Sequence, residues 1–291
     1  MCGPKGLVGE PDTLYRNNGD GTFSEIGLAS GLALNGDGKP QASMGVDAAD
    51  YDGDGRLDVF VTNFSQDYNT LYQNSAAGFF TDVSQRAGVV PPALSYLGWG
   101  TGFVDFDNDG LLDLFVANGH VYPEIDGSGR GTRYLQRKQV FVNLGGGRFR
   151  DATQEIGGGL LIERSSRGAA FGDLDNDSDP DILVINMNDR PTLLRNDTES
   201  GNNWVMLKLV GDSPNRDAIG ARVWLEATAR VQSAEVRSGG SYLSHNDMRV
   251  RFGLGRQTKV PVVKVRWPNG AIERFDGLTP NTIHVIRQGH G

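Results

Sequence analysis

One cysteine, Cys2, stands in 291 residues, so no disulfide can form within the chain and disulfide-stapled folds are excluded. No stretch of about 18 consecutive apolar residues occurs, which leaves no segment fit to span a membrane as a helix. The first residues also lack the charged and apolar regions of an export signal, so the chain as written carries none. Histidine is scarce. His120, His245, His284 and His290 are scattered, and no two have the spacing of a helical metal pair. Nucleophiles and bases show no pattern that marks a catalytic triad. Helical periodicity of any length is missing as well, so what remains is a β-rich chain with 41 glycines to turn it.

What the chain does have is acid at regular places. The stretch Asp50 to Asn63 reads DYDGDGRLDVFVTN, and it recurs as DFDNDGLLDLFVAN from Asp105 and as DLDNDSDPDILVIN from Asp173. Each copy sets Asp at positions 1, 3, 5 and 9, then enters an apolar run rich in Val, Ile and Phe that ends in Asn. Alternate carboxylates on a tight loop, with a backbone carbonyl between them, suit calcium, a hard ion that takes six to eight oxygens. The spacing predicts Asp50, Asp52, Asp54 and Asp58 with the carbonyl of Arg56; Asp105, Asp107, Asp109 and Asp113 with that of Leu111; and Asp173, Asp175, Asp177 and Asp181 with that of Asp179. About three calcium ions follow. The helical calcium loop opens similarly but needs Glu at position 12 and a helix after it. Val61, Val116 and Val184 stand there instead, and the runs read as strands. One copy would read equally well as an ion-free turn; three with one spacing favour the ion. The third departs most, with Ser178 at the turn glycine and Pro180 at the strand entry.

The repeat extends beyond the loops. A second Asn is followed by Phe six residues later and Gly eight beyond that, at Asn17, Phe23, Gly31; Asn74, Phe80, Gly88; and Asn143, Phe149, Gly157. Another Gly precedes each first Asp by five residues, at Gly45, Gly100 and Gly168. Several short strands per unit fit one propeller blade per repeat, with the three Phe as core wedges. The expected fold is all-β: a partial β-propeller of about three blades over residues 1–199, a fragment of a larger ring, then a small β-sandwich-like domain over 200–291. Open blade edges would call for missing blades or another subunit to cover them.

Charge divides the same way. Residues 1–199 hold 15 basic and 29 acidic side chains, a net −14, whereas 200–291 hold 13 and 7, a net +6. The Arg residues beyond position 200 are spread singly along apparent strands, without the cluster or stacking motif of a nucleic-acid binder.

The acidic units resemble FG-GAP/VCBS repeats of integrin-like β-propellers. The C-terminal region resembles an ASPIC/UnbV domain, on NRDAIGARV from Asn215, SGGSYLS from Ser238, RFGLG from Arg251 and VRWPNG from Val265. CGPKGLVGEPDTLYRNNGDGTF at the start and NGHVYPE from Asn118 are similar to the same family. The resemblance implies a calcium-binding protein outside the cytoplasm, extracellular, periplasmic or at the cell surface.

These features together point to a noncatalytic calcium-binding repeat protein for adhesion or for recognition of a protein or glycan, the ions acting as structural staples. The Gly119–Lys138 insertion offers its binding surface, with His120, Tyr122 and Tyr134 as candidates for ligand contact. An enzyme or biosynthetic accessory protein acting on a glycan or secondary metabolite through that insertion is the alternative. A purely structural segment is a third.

Overall fold

The computed structural model describes residues 9–212, 214–226 and 231–291. Cys2, the start of the CGPKGLVGE stretch and the end of the expected ARVWLEATA strand lie outside the described residues.

Alternation of apolar and polar residues yields antiparallel meanders. A ribbon, β1 (Tyr15–Asn17) and β2 (Phe23–Glu25), comes first. The first acidic loop joins β3 (Val46–Ala49) to β4 (Asp58–Val61), followed by β5 (Thr70–Asn74) and β6 (Phe80–Asp82) in one four-stranded sheet. The second loop repeats this in β7 (Gly98–Val104), β8 (Asp113–Asn118), β9 (Gln139–Asn143) and β10 (Phe149–Asp151). The third sits between β11 (Ser166–Gly172) and β12 (Asp181–Asn186), with β13 (Thr192–Leu194) completing a three-stranded sheet.

The repeat spacing now has a cause. Asn17, Asn74 and Asn143 face Phe23, Phe80 and Phe149 across the outer hairpins. Gly31 and Gly88 end one-turn helices, Gly27–Ser30 and Ser84–Ala87, at φ of 85° and 84°, where a Cβ would be strained. As core wedges the three aromatics differ: Phe149 is buried, Phe80 half-buried and Phe23 exposed, because the ribbon carrying Phe23 is only two strands wide. Strand β8 is buried along its whole length. Its Leu114 and Val116 pack with Phe60 and Leu71 of the preceding sheet, while Phe115 and Ala117 pack with Phe171 and Val184 of the next.

The C-terminal strands are β14 (Asn203–Val210), β15 (Arg222–Glu226), β16 (Val231–Glu235), β17 (Val250–Gly255), β18 (Val262–Arg266), β19 (Ile272–Phe275) and β20 (Ile283–Arg287). They form two sheets, β17-β14-β20 and β16-β15-β18-β19, with β20 parallel to β14. Val205 and Leu207, Phe252, Val223 and Leu225, and Val263 and Val265 share one core between them. The expected hairpin after Trp267 is present, with Trp267 N donating to Ala271 O across a turn whose Gly270 has φ of 89°.

This sheet count corrects the expectation of about three blades forming a fragment of a larger propeller. Among the described residues five sheets of three or four strands are present, with the β1–β2 ribbon beside them, a five-bladed arrangement of blade-sized sheets rather than an arc of three. The all-β class stands. Counting acidic loops undercounts sheets, since three of the six sheets among the described residues are entered through such a loop.

Strands β3, β7 and β11 lie side by side as the inner strands of their sheets. A Cβ at Gly45 would sit 2.0 Å from Trp99 O, and one at Gly100 2.5 Å from Ala169 N. At Gly168 the neighbour is instead Tyr242 O and Ser244 Oγ, at 3.0 and 2.9 Å. The SGGSYLS segment thus occupies, beside β11, the place that a next inner strand holds beside β3 and β7. It also reaches the other two: Val46 N donates to Ser241 O at 3.3 Å and Thr101 N to Ser241 Oγ at 2.8 Å. Next to it, Phe171 N donates to Asn246 Oδ1 at 3.1 Å, and Arg237 pairs with Asp47 at 2.8 Å. Gly45→Ala is expected to destabilise the protein by about 1–3 kcal/mol, the range for overpacking a close contact; chemical denaturation would measure it, and an unchanged midpoint would refute the packing.

Candidate metal centres

Each acidic loop is wound by its own carboxylates. Asp50 Oδ1 accepts from the Gly53 and Asp54 amides at 2.9 and 3.0 Å, and its Oδ2 from Gly55 N at 2.9 Å. Asp105 Oδ2 accepts from Gly110 N at 3.0 Å, and Asp173 Oδ2 from Ser178 N at 3.2 Å. These bonds demand left-handed backbone at positions 4 and 6. Gly53 and Gly55 take it at 78° and 89°, Asn108 and Gly110 at 63° and 89°, and Asn176 and Ser178 at 60° and 83°. Ser178 therefore keeps the turn of the irregular third copy at the cost of a conformation that disfavours a Cβ.

Position 9 ties each loop to the sheet. Asp58, Asp113 and Asp181 accept through Oδ1 from the amides of Asn74, Asn143 and Asn196 at 2.8, 2.8 and 3.0 Å. The Asn at position 14 secures the far end: Asn63, Asn118 and Asn186 donate to the carbonyls of Tyr68, Arg137 and Arg190.

Three groups of carboxylates result, each with oxygens within 4.8 Å of one another: Asp50, Asp52 and Asp58; Asp105, Asp107 and Asp109; Asp173, Asp175 and Asp181. Of the other sequence-predicted carboxylates, Asp54 is ion-paired with Arg56, Asp113 accepts amide bonds from Asn143 and Phe106, and Asp177 accepts from Asp179 N. The Asp179 side chain faces Arg251 at 3.6 Å. Calcium fits these groups on a direct observation. Asp58 Oδ2, Asp105 Oδ1 and Asp173 Oδ1, one in each cluster, are buried and have no hydrogen-bond donor. Buried carboxylate oxygens of this kind need a partner, and a hard cation supplies one without a proton.

Burial and mutual repulsion act on the same groups. Burial, with the other loop carboxylates adding to it, pushes Asp58 up to about 7 and Asp113 up to about 8. Burial pushes Asp105 up to about 7, against the opposing pull of Arg251, and raises Asp50 and Asp173 as well. Without metal, the folded chain thus holds more protons than the unfolded chain between the ordinary carboxylate range and about 7–8, and these groups' contribution to stability is lost as pH rises through that window.

The C-terminal domain touches all three loops. Arg222 Nη2 donates to Gly55 O at 3.2 Å. Asn202 donates to Asp107 O, Gly255 N to Asn108 O and Arg251 Nη2 to Asn108 Oδ1, and a Cβ on Gly253 would sit 2.0 Å from Asp105 Oδ2. Arg249 donates to Asp173 O at 2.8 Å and to Asn176 Oδ1 at 2.9 Å. The positive balance of residues 200–291 is partly the complement of these loops. Sequence reasoning missed the arginines individually, although the charge asymmetry was their signal.

The 119–138 insertion is anchored at its two ends, while residues 126–131 in its middle are exposed. His120 is buried at 2% exposure; its Nδ1 accepts from Tyr122 N, its ring meets Phe64 edge to face at 5.2 Å, and burial lowers its pKa. Tyr122 is exposed, and Tyr134 N donates to Asp126 Oδ1. Thr132 donates to Ser95 O, Gln136 Oε1 accepts from Leu97 N, and the buried Lys138 donates to Ile162 O. His245 and His284 lie outside every cluster, and His284 Nε2 bonds Thr279 O.

Since calcium must displace those protons, the melting temperature gained on adding calcium to chelator-treated protein is expected to widen as pH is raised from about 5 to about 8. Paired melts across that range test it; a constant gain would show that binding displaces no protons.

Comparison with known proteins agrees with this architecture. The FG-GAP-like repeat family matches residues 7–61, 50–116 and 128–208, and the ASPIC and UnbV family matches 211–291. The chain is similar to cartilage acidic protein 1 of Mus musculus, at 27% identity over 270 residues, covering 89% of this chain and 38% of that protein. The Homo sapiens protein gives 27% over 270 residues, with 89% and 37% covered. The chain therefore spans less than two fifths of the curated relatives it matches. On repeats matched across more than half its length and the unit that follows them, it belongs to the FG-GAP-like repeat proteins with an ASPIC and UnbV domain.

Proposed function

We propose that this chain is a noncatalytic recognition or adhesion protein whose three acidic loops hold calcium as structural ions, with Asp50, Asp52 and Asp58, Asp105, Asp107 and Asp109, and Asp173, Asp175 and Asp181 as the carboxylate ligands. The carbonyls of Arg56, Leu111 and Asp179 would add a ligand each, and the remaining loop carboxylates complete or orient the shell. The observation that carries the reading is the buried, donor-free carboxylate oxygen in every cluster. When bound, the ion supplies positive charge and coordination; the chain supplies rigid loops and the arginines that brace them.

The partner is a protein or a glycan. The setting proposed is extracellular, periplasmic or cell-surface, where calcium is plentiful enough to occupy even sites as weak as extracellular calcium modules, with dissociation constants of about 10⁻⁴–10⁻³ M. Among the described residues no helix is long and apolar enough to cross a membrane.

Calorimetric titration of chelator-stripped protein is expected to find about three calcium ions per chain, with a raised melting temperature and little response to magnesium. Each site should add about 2.7 kcal/mol when free calcium is about 100 times its dissociation constant. Asp52→Ala combined with Asp107→Ala should remove two of the three binding events and their share of the stabilisation; unchanged binding in the double variant would overturn the assignment.

A further inference from the structure

The β1–β2 ribbon has the conformation of the outer half of a blade. Gly19 N donates to Asn17 Oδ1 at 2.8 Å, as Gly145 N does to Asn143 Oδ1 at 2.9 Å. The helix after it ends on left-handed Gly31, as the helix after β6 ends on Gly88. By register, Tyr15 and Asn17 correspond to Tyr72 and Asn74 of β5 and to Phe141 and Asn143 of β9.

What differs is the inner neighbour. Strands β5 and β9 lie against β4 and β8, the strands that leave an acidic loop, with the position-10 residues Val59 and Leu114 opposite Tyr72 and Phe141. Among the described residues β1 pairs with β2 alone. Tyr15 and Phe23 are each 62% exposed, whereas Tyr72 and Phe141 are 1% and 0% exposed. The bonding groups of this edge point outward. Ile26 N donates to Leu14 O and Asn18 N to Thr22 O across the ribbon, so the alternation of an antiparallel ladder turns the N–H and C=O of Tyr15 and Asn17 away from β2. An open edge of this kind is a template for an incoming strand.

The other blades define what fits it. The amides of Asn74, Asn143 and Asn196 donate to the position-9 Asp of the loop beside them. The side chains of Asn74 and Asn143 donate to the carbonyl just before that Asp, Leu57 O and Leu112 O, at 3.0 and 2.9 Å. Asn17 offers the same amide and the same side chain from the same turn. A plain strand could satisfy the backbone of β1, but a strand opening on Asp after an acidic loop satisfies Asn17 as well.

We propose that the free edge of β1 docks a β-hairpin carrying an acidic loop of this same kind, its position-9 Asp accepting from the Asn17 amide and its position-10 residue opposite Tyr15. A different polypeptide supplies it, since the three such hairpins of a second copy are already paired, β4 with β5, β8 with β9 and β12 with β13. The inference rests on the recognition role proposed above and gives that role a surface and a partner chemistry.

The probe is the hairpin of residues 44–63 made as a cyclic peptide. Met44 N donates to Thr62 O at 2.9 Å in the parent hairpin, so the ends meet, and closing them cuts the ordering cost of binding. Calorimetric titration of the calcium-loaded chain is expected to find saturable binding of about one peptide per chain. The peptide with Asp58→Ala should bind at least about ten-fold more weakly, for want of the charge-assisted bond to Asn17. Tyr15→Pro in the chain should melt as the native protein does, because proline is tolerated on an edge strand, and should lose binding by about ten-fold or more. If that variant misfolds, the Asp58→Ala peptide on the native chain decides the matter. No saturable binding, equal binding of a scrambled cyclic peptide, or undiminished binding by the Asp58→Ala peptide overturns the proposal. So does dimerisation of the chain alone, by sedimentation, that Tyr15→Pro abolishes, since a second copy would then hold the edge. A calcium titration of the same chain separates the two readings: about three ions bound without peptide binding removes the docking edge alone, and no calcium bound removes the structural-ion role beneath it.

Discussion

Like charges held close at a strand entry are the constraint on which the rest of this structure depends. Three carboxylates with oxygens within 4.8 Å repel one another strongly once water is excluded, and this happens three times on one face of the molecule. Backbone amides absorb some of the charge: Asp50 alone accepts three. The remainder needs positive charge from elsewhere, and the chain has two sources. One is an ion at each cluster. The other is the C-terminal domain, which brings Arg222, Arg249 and Arg251 to the outer side of the same loops.

The two sources do different jobs. A guanidinium is too large to sit among three converging carboxylates, and the arginines accordingly bind loop carbonyls, Asn108, Asn176 and the outlying Asp179. They brace the loop from outside while the donor-free oxygens of Asp58, Asp105 and Asp173 remain available within. A loop held in this way has little to reorganise when an ion arrives. That preorganisation links the domains energetically, because a contact that rigidifies the loop lowers the entropic cost of coordination. The −14 and +6 regions of the sequence thus meet, at these loops, as opposite faces of one interface.

Much of this was legible in the residues, for reasons that can be named. The carboxylate spacing survives folding because the loop is local: the bonds from Asp50, Asp105 and Asp173 span no more than five residues. The Asn-to-Phe interval is equally local, being a hairpin closure. The sheet count was not legible, since sheets without an acidic loop carry no repeated mark, and the contribution of the C-terminal strands depends on pairings such as parallel β14 with β20, whose residues lie more than 70 positions apart. Nor could the pairing of Asp54 with Arg56 be told from ligation, because a carboxylate at position 5 suits either.

The glycines before the acidic loops show how the two domains became one packed unit. Gly45 and Gly100 are bare because the next inner strand passes within 2.0 and 2.5 Å of where a Cβ would be. Gly168 holds the same place in the third repeat, yet no further repeat follows it in the sheet order. Its bareness serves Tyr242 and Ser244, and the same short segment bonds Val46 and Thr101 on the other two inner strands. A loop that touches three inner strands at once fixes their relative position, which fixes the spacing of the three acidic loops at their ends. The SGGSYLS segment thus contacts all three inner strands that lead into the acidic loops. Its two consecutive glycines, Gly239 at φ of 104° among them, allow the backbone to turn into a space that a regular strand would fill.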